Sequence, residues 1–285
     1  MKRTSVAMIL AVMFLFIAQA LTAQVLVSAK DFTAEKKKDK TMVVIDANTA
    51  DNYAKSHVMG AVNVPHKELY QDGEIEGLIK SPADLAAYFG KKGISNTSKI
   101  VIYDDGSNKY SSRVYWVLDY LGATDIRILH KDMDQWKAAR VPLTRNKTAV
   151  KATTFTPNAD ASILATMADV KGCSGSCVVV DARHVTEYNG TSEDPVSAGH
   201  IKGAKNVEYK EFLDDKGAFK SADQLKAVAG KYGLTSDKTI ILYCVTSVRA
   251  AVTYVALKEI LGYPNVKVYD GAYNEWKAKG GAMEK

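Results

Sequence analysis

The chain has 285 residues, a formal net charge of +6, 47% hydrophobic residues and 25% charged residues. This is the composition of a folded protein and not of a disordered one, and the length suffices for two domains of ordinary size. The basic residues are scattered, so the small positive excess suits anionic small molecules and does not argue for nucleic acid.

The first twenty-three residues read as a secretory signal peptide. Lys2 and Arg3 form a basic start, residues 6–18 are apolar without a charge, and Ala18, Ala20 and Ala23 follow as small cleavage-site residues. The apolar run is short for a membrane span, which needs about 20 residues, so no stable membrane insertion is expected after cleavage. The expected location is outside the cytoplasm, periplasmic or secreted.

The remainder is written twice, at an interval of roughly 140 residues. Val43-Val44-Ile45-Asp46-Ala47 matches Val178-Val179-Val180-Asp181-Ala182. His57-Val58-Met59-Gly60-Ala61 matches His200-Ile201-Lys202-Gly203-Ala204. Ile100-Val101-Ile102-Tyr103 matches Ile240-Ile241-Leu242-Tyr243, and Asp134-Gln135-Trp136-Lys137-Ala138 matches Asn274-Glu275-Trp276-Lys277-Ala278. The order is kept, so the chain is a duplication. The predicted domains are 24–145 and 152–285, joined by a polar linker within 144–154.

Within each copy, short β-branched runs predict buried strands at 43–45, 100–103 and 126–129, and again at 178–180, 240–243 and 266–269. Helices are predicted over 221–232 and 249–261, each followed by a glycine stop, Gly233 and Gly262. Alternating strands and helices define two α/β domains, each with a mostly parallel sheet and helices on both faces.

The chemistry is expected at Tyr243-Cys244-Val245-Thr246-Ser247-Val248-Arg249. An apolar strand delivers Cys244 to its carboxyl end, and a helix begins near Arg249. Backbone N–H groups of such a loop converge on one spot and favour an anion there. The thiolate is the nucleophilic form of cysteine, and Arg249 adds a fixed positive charge. The alternative for Cys244 is an inert buried thiol at a strand end.

Both halves resemble rhodanese domains, and together they resemble two-domain sulfurtransferases over nearly the whole mature chain. Asp181-Ala182-Arg183 and Gly199-His200-Ile201-Lys202-Gly203-Ala204 resemble the amino-terminal signature of that family. Asp270-Gly271-Ala272-Tyr273-Asn274-Glu275-Trp276 resembles its carboxy-terminal one, and Cys244 to Arg249 matches its six-residue active loop. The resemblance implies transfer of sulfane sulfur from a donor such as thiosulfate or 3-mercaptopyruvate to a thiol or cyanide acceptor. Cys244 would hold the sulfur as a persulfide. Val245, Thr246, Ser247, Val248, Arg249 and Arg183 would bind substrate. Related phosphatases place five residues between cysteine and arginine, where this chain has four, which suits sulfur better than phosphate.

The first copy has Asp104 where the second has Cys244, so that domain is expected to be inactive, and Arg113 matches a family arginine that faces either the interface or the surface. Thiosulfate-preferring members carry a basic residue where this chain has Thr246 and an arginine where it has Glu187. Mercaptopyruvate-preferring members have Gly-Ser-Gly in place of Val245-Thr246-Ser247. Neither pattern is met, so Arg249 is left to supply the missing charge. A second class of function is a sulfur carrier loaded by a partner protein; a third is a structural protein with a silent loop. No metal, nucleotide or flavin cofactor is implied. Cys173 and Cys177 read as a structural disulfide of an exported protein, or as a redox pair accepting sulfur from Cys244. His57 and His200, present in both copies, read as structural turn residues.

Overall fold

The computed structural model describes residues 25–193 and 199–285, and the expected signal peptide lies outside them. The first domain runs α1 (Ala29–Lys38), β1 (Val43–Asp46), α2 (Ala50–Lys55), β2 (His57–Val58), β3 (Ala61–Asn63), α3 (Pro82–Lys91), β4 (Lys99–Tyr103), α4 (Lys109–Tyr120), β5 (Asp125–Ile128), α5 (Met133–Ala138) and β6 (Leu143–Thr144). The second runs β7 (Leu164–Ala165), α6 (Met167–Gly172), β8 (Cys177–Asp181), α7 (Val185–Tyr188), β9 (His200–Ile201), β10 (Lys205–Asn206), α8 (Ala222–Lys231), β11 (Thr239–Tyr243), α9 (Val248–Tyr254), β12 (Val266–Tyr269), α10 (Ala272–Ala278) and β13 (Met283–Glu284).

Each domain is built on a parallel sheet, ordered β3-β1-β4-β5 in the first and β10-β8-β11-β12-β7 in the second. Side chains of a strand alternate between faces, and both faces are covered. In the first domain Ile45, Ile100 and Ile102 pack toward Phe89 of α3 and Trp116 of α4. Val44, Val101 and Tyr103 meet Phe32 of α1 and Trp136 of α5 on the other side. The second domain repeats this, with Val180 and Leu242 toward α8 and α9 and Val179 and Ile241 toward Val170 and Trp276. That is why these strands read as unbroken apolar runs rather than as alternating ones.

The predicted helix 221–232 is α8, capped at Ser221 by a reciprocal bond with Gln224 and ending before Gly233. The predicted helix 249–261 differs in its second half. It is α-helical only to Tyr254 and widens into a π turn over Val255–Ile260. Its residues are buried nearly all round, because α9 lies between its own sheet and α4 of the other domain. One continuous apolar cluster therefore runs through both domains, with Trp116 and Leu118 on one side and Ala251 and Leu257 on the other. Polar contacts stitch the same interface: Tyr254 donates to Asp119 (2.6 Å) and Tyr115 to Glu259 (2.9 Å).

Cys173 and Cys177 are joined as a disulfide. Cys177 pairs with Thr239 at one end of the β8–β11 register, and Asp181 pairs with Tyr243 at the other. The disulfide thus sits at the amino ends of the strands and Cys244 follows their carboxyl ends, about 16 Å away at 3.3 Å per residue. That separation rules out direct sulfur transfer between them and leaves the disulfide its structural role.

Candidate active site

Cys244 leaves β11 at the carboxyl edge of the sheet and is 1% exposed. The loop behind it is fixed at several points. The carbonyl of Cys244 accepts from Tyr273 N (3.0 Å) and that of Val245 from Asn274 N (3.4 Å). Ser247 takes the left-handed conformation at the N-cap of α9 (φ 60°), and its hydroxyl donates to the Tyr269 carbonyl at 2.6 Å. The Ser247 side chain is therefore committed to the scaffold, and what it offers a ligand is its backbone N–H.

The silent domain displays what such a loop is built to hold. Asp104 occupies the place of Cys244, and Asn108, left-handed at φ 56°, the place of Ser247. One oxygen of Asp104 accepts from the N–H groups of Gly106 (2.9 Å) and Asn108 (3.1 Å). The other accepts from the N–H groups of Tyr110 (3.0 Å) and Ser111 (3.1 Å) and from the Ser111 hydroxyl (3.2 Å). Burial and Asp105 push this carboxyl above its usual range, and the amides offset only part of that rise. Both oxygens act only as acceptors, which is the geometry of the anion. From Asp104 to the left-handed residue there are four steps, against three from Cys244 to Ser247. The longer loop encloses its own carboxylate; the shorter one reaches its left-handed residue one step sooner after Cys244.

Arg249 stands beside the sulfur. Burial lowers its pKa, but the Glu187 carboxylate and Cys244 outweigh that and the net shift is upward. Its guanidinium forms a two-bond pair with Glu187, 2.6 and 2.9 Å. Burial raises the Glu187 pKa, and Arg249 together with the His184 N–H brings it below the usual carboxylate range. The charge expected of Arg249 is therefore present but already matched.

Arg183 does not reach the cradle as expected. It is buried, bound to Asp181 through Nε and Nη2 and to the Gly199 carbonyl, with its guanidinium 4.2 Å from the Tyr273 ring centroid. Asp181 in turn accepts from the Tyr243 hydroxyl at 2.6 Å. Arg183 therefore braces the strand ends that present the loop. His57 and His200 stack on Tyr53 and Tyr188 and bond the carbonyls of those residues, each in its own turn.

The first domain supplies the rest of the site. A hairpin closed by the Tyr70–Ile79 bridge crosses to the second domain. Gly77 sits at φ 110°, where a Cβ would stand 2.8 Å from that of Thr246. Arg113 is fully buried; it donates to the Gly77 carbonyl (2.9 Å) and pairs with Asp270 (2.5 Å). Asp270 also accepts from Ile79 N at 2.8 Å. Burial lowers the Arg113 pKa, and Asp270, Tyr70 and Cys244 raise it to a net upward shift, so this guanidinium too lies in the field of the sulfur. Burial pushes Tyr70 up to about 12 and His66 down to about 4, leaving both neutral at pH 7. The arrangement is reciprocal. The hairpin closed by Leu213 and Phe219 covers the Asp104 loop, with Asn108 donating to the Gly217 carbonyl at 2.6 Å. Sequence reasoning missed Tyr70, Gly77 and the role of Asp270. The glycines that recur before Ser81 and Ser221 are the one signal that could have pointed to the hairpins.

Two parallel-sheet domains, one with a cysteine in an anion cradle and one with that cradle filled by its own aspartate, define a duplicated cysteine-loop protein. The Rhodanese-like domain family matches residues 28–139 and 164–279, and the chain belongs to that family. It is 32% identical to the sulfur carrier protein TtuD of Thermus thermophilus, over 89% of this chain and 93% of that protein. It is 32% identical to the thiosulfate sulfurtransferase of Pseudomonas aeruginosa, over 82% and 88% of the two chains. Among solved structures it is similar to SseA of Escherichia coli, a 3-mercaptopyruvate sulfurtransferase fold, with 27% identity, a TM-score of 0.78, and coverage of 87% and 98%. These relatives support sulfur transfer in general.

Proposed function

We propose that this protein is an exported sulfurtransferase in which Cys244 takes sulfane sulfur from a small donor, holds it as a persulfide, and passes it to a thiol or cyanide. The observation that carries this reading is the Asp104 loop: the counterpart of the Cys244 loop, one residue longer, binds a carboxylate with four amides and a hydroxyl. With thiosulfate, the Cys244 thiolate attacks the outer sulfur, the donor S–S bond breaks, and sulfite leaves with the bonding pair. The new Cys–S–S anion lies against the amides of Val245 to Arg249, which stabilise charge without reorganising. Attack by cyanide on the outer sulfur gives thiocyanate and returns the thiolate. The 1% exposure of Cys244 keeps the persulfide out of bulk solvent. The expected export rests on residues 1–23, and the Cys173–Cys177 disulfide suits an oxidising compartment.

Thiocyanate formation tests this. Wild-type protein turns over with at least one of thiosulfate, 3-mercaptopyruvate or a persulfide, and Cys244→Ala falls to background with all three. Turnover that survives in Cys244→Ala contradicts the assignment. The likeness to a sulfur carrier supports a second reading, in which a partner protein loads Cys244 and turnover with small donors is low.

A further inference from the structure

The charges around Cys244 come in matched pairs. Arg249 is held by Glu187 through two bonds at 2.6 and 2.9 Å, with side chains 22% and 14% exposed. Arg113 is held by Asp270, with side chains 0% and 6% exposed. Arg183, further below, is paired with Asp181. The two guanidinium groups that act on Cys244 are thus cancelled by two carboxylates, and the loop amides are left as the donors for added negative charge.

Donors differ in the charge they bring. Thiosulfate enters as a dianion and releases sulfite, also a dianion, beside the sulfur that attacks it. A persulfide reacts as an electrophile in its protonated form, R–S–SH, which brings no charge at the sulfur attacked. In that case the Cys244 thiolate attacks the outer sulfur, the S–S bond of the donor breaks, R–S⁻ leaves with the electron pair, and the outer sulfur keeps its proton as Cys244–S–SH. One negative charge enters the step and one leaves it. Like charges confined in a water-poor site repel far more than in water, so a site whose two guanidinium groups are both paired discriminates against the dianion.

We propose that Glu187 sets the donor class: by neutralising Arg249 it directs Cys244 to low-charge persulfide or polysulfide donors and away from dianions such as thiosulfate. This rests on the reading of Cys244 as the sulfur acceptor. Glu187 is a specificity residue acting through Arg249, and its amide isostere isolates the charge. Its carboxylate also accepts from His184 N at 3.2 Å to cap α7, an acceptor role that glutamine keeps.

The test compares kcat/KM for thiosulfate and for glutathione persulfide in wild type, Glu187→Gln and Glu187→Asp. Wild type is expected to favour the persulfide. Glu187→Gln is expected to raise kcat/KM for thiosulfate by about tenfold, as removal of one poorly screened charge does, and to leave the persulfide within about twofold. Glu187→Asp, which keeps the charge, is expected to keep the wild-type preference. An unchanged thiosulfate rate in Glu187→Gln, an equal loss for both donors, or an equal gain for thiosulfate in Glu187→Asp overturns the inference while leaving Cys244 as acceptor. If intact mass shows that neither donor adds sulfur to Cys244 in any of the three proteins, the reading of Cys244 falls, and the inference with it.

Discussion

At the scale of single residues, two buried aspartates carry the design. Asp104 satisfies four amides that would otherwise be orphaned in a closed loop, and Asp270 ties the first domain to the catalytic edge of the second. Removing one partner of a buried ion pair leaves the other charged and desolvated, which costs about 3–5 kcal/mol. Arg113→Met is therefore expected to lower unfolding stability by that amount in urea titrations. The double variant Arg113→Met, Asp270→Asn is expected to recover at least half of the loss. Additive losses in the double variant would show that the pair is not coupled. Cys244, Arg249 and the loop were legible from sequence because a thiol, a short loop and an arginine occur together at a strand end. The pairing of Arg249 with Glu187 was not, because the two are 62 positions apart and only the fold brings α7 against the cysteine loop.

At the scale of elements, the strands and the helices behind them were legible because each carries a periodic apolar signal, repeated in both copies. The hairpins that close the loops were not. They are short and polar at their tips, and their function lies in what they meet across the domain boundary. Gly77 shows this most sharply. Its positive φ and its approach to Thr246 leave no room for a methyl group. Gly77→Ala must therefore shift the hairpin off the cysteine loop. The expected result is a fall of about tenfold in kcat/KM, as small misplacements at a reacting centre produce. Unchanged kinetics would mean that the hairpin does not shape the site.

At the scale of the whole molecule, duplication gave two copies of one loop, and divergence in length and residue left a cysteine at the head of one and a carboxylate filling the other. The interface that holds them together contains, besides the paired Asp270, two carboxyls whose pKa burial raises. Burial, reinforced by Asp119, raises Glu259 from 4.5 to about 6, and burial raises Asp119 as well. A raised carboxyl means that the folded state holds its proton over a range where the unfolded chain has lost it. Stability therefore grows as pH falls from about 6 to about 4.5. Above pH 6 the ionised Glu259 costs a constant amount, about 2 kcal/mol from a shift of this size. Glu259→Gln is expected to be more stable than wild type at pH 7.5 and to lose most of that dependence, read from unfolding midpoints across the range. A wild-type stability that falls between pH 6 and 4.5 through this group would contradict the assignment.

The claim on which the rest depends is that Cys244 receives sulfur in the cradle whose counterpart Asp104 fills. Intact mass after incubation with a sulfane donor, beside Cys244→Ala, measures it directly. The account predicts a gain of one sulfur atom in wild type, its removal by cyanide, and no gain in the variant. A wild-type mass unchanged by thiosulfate, 3-mercaptopyruvate and persulfide alike, or an equal gain in Cys244→Ala, would contradict it.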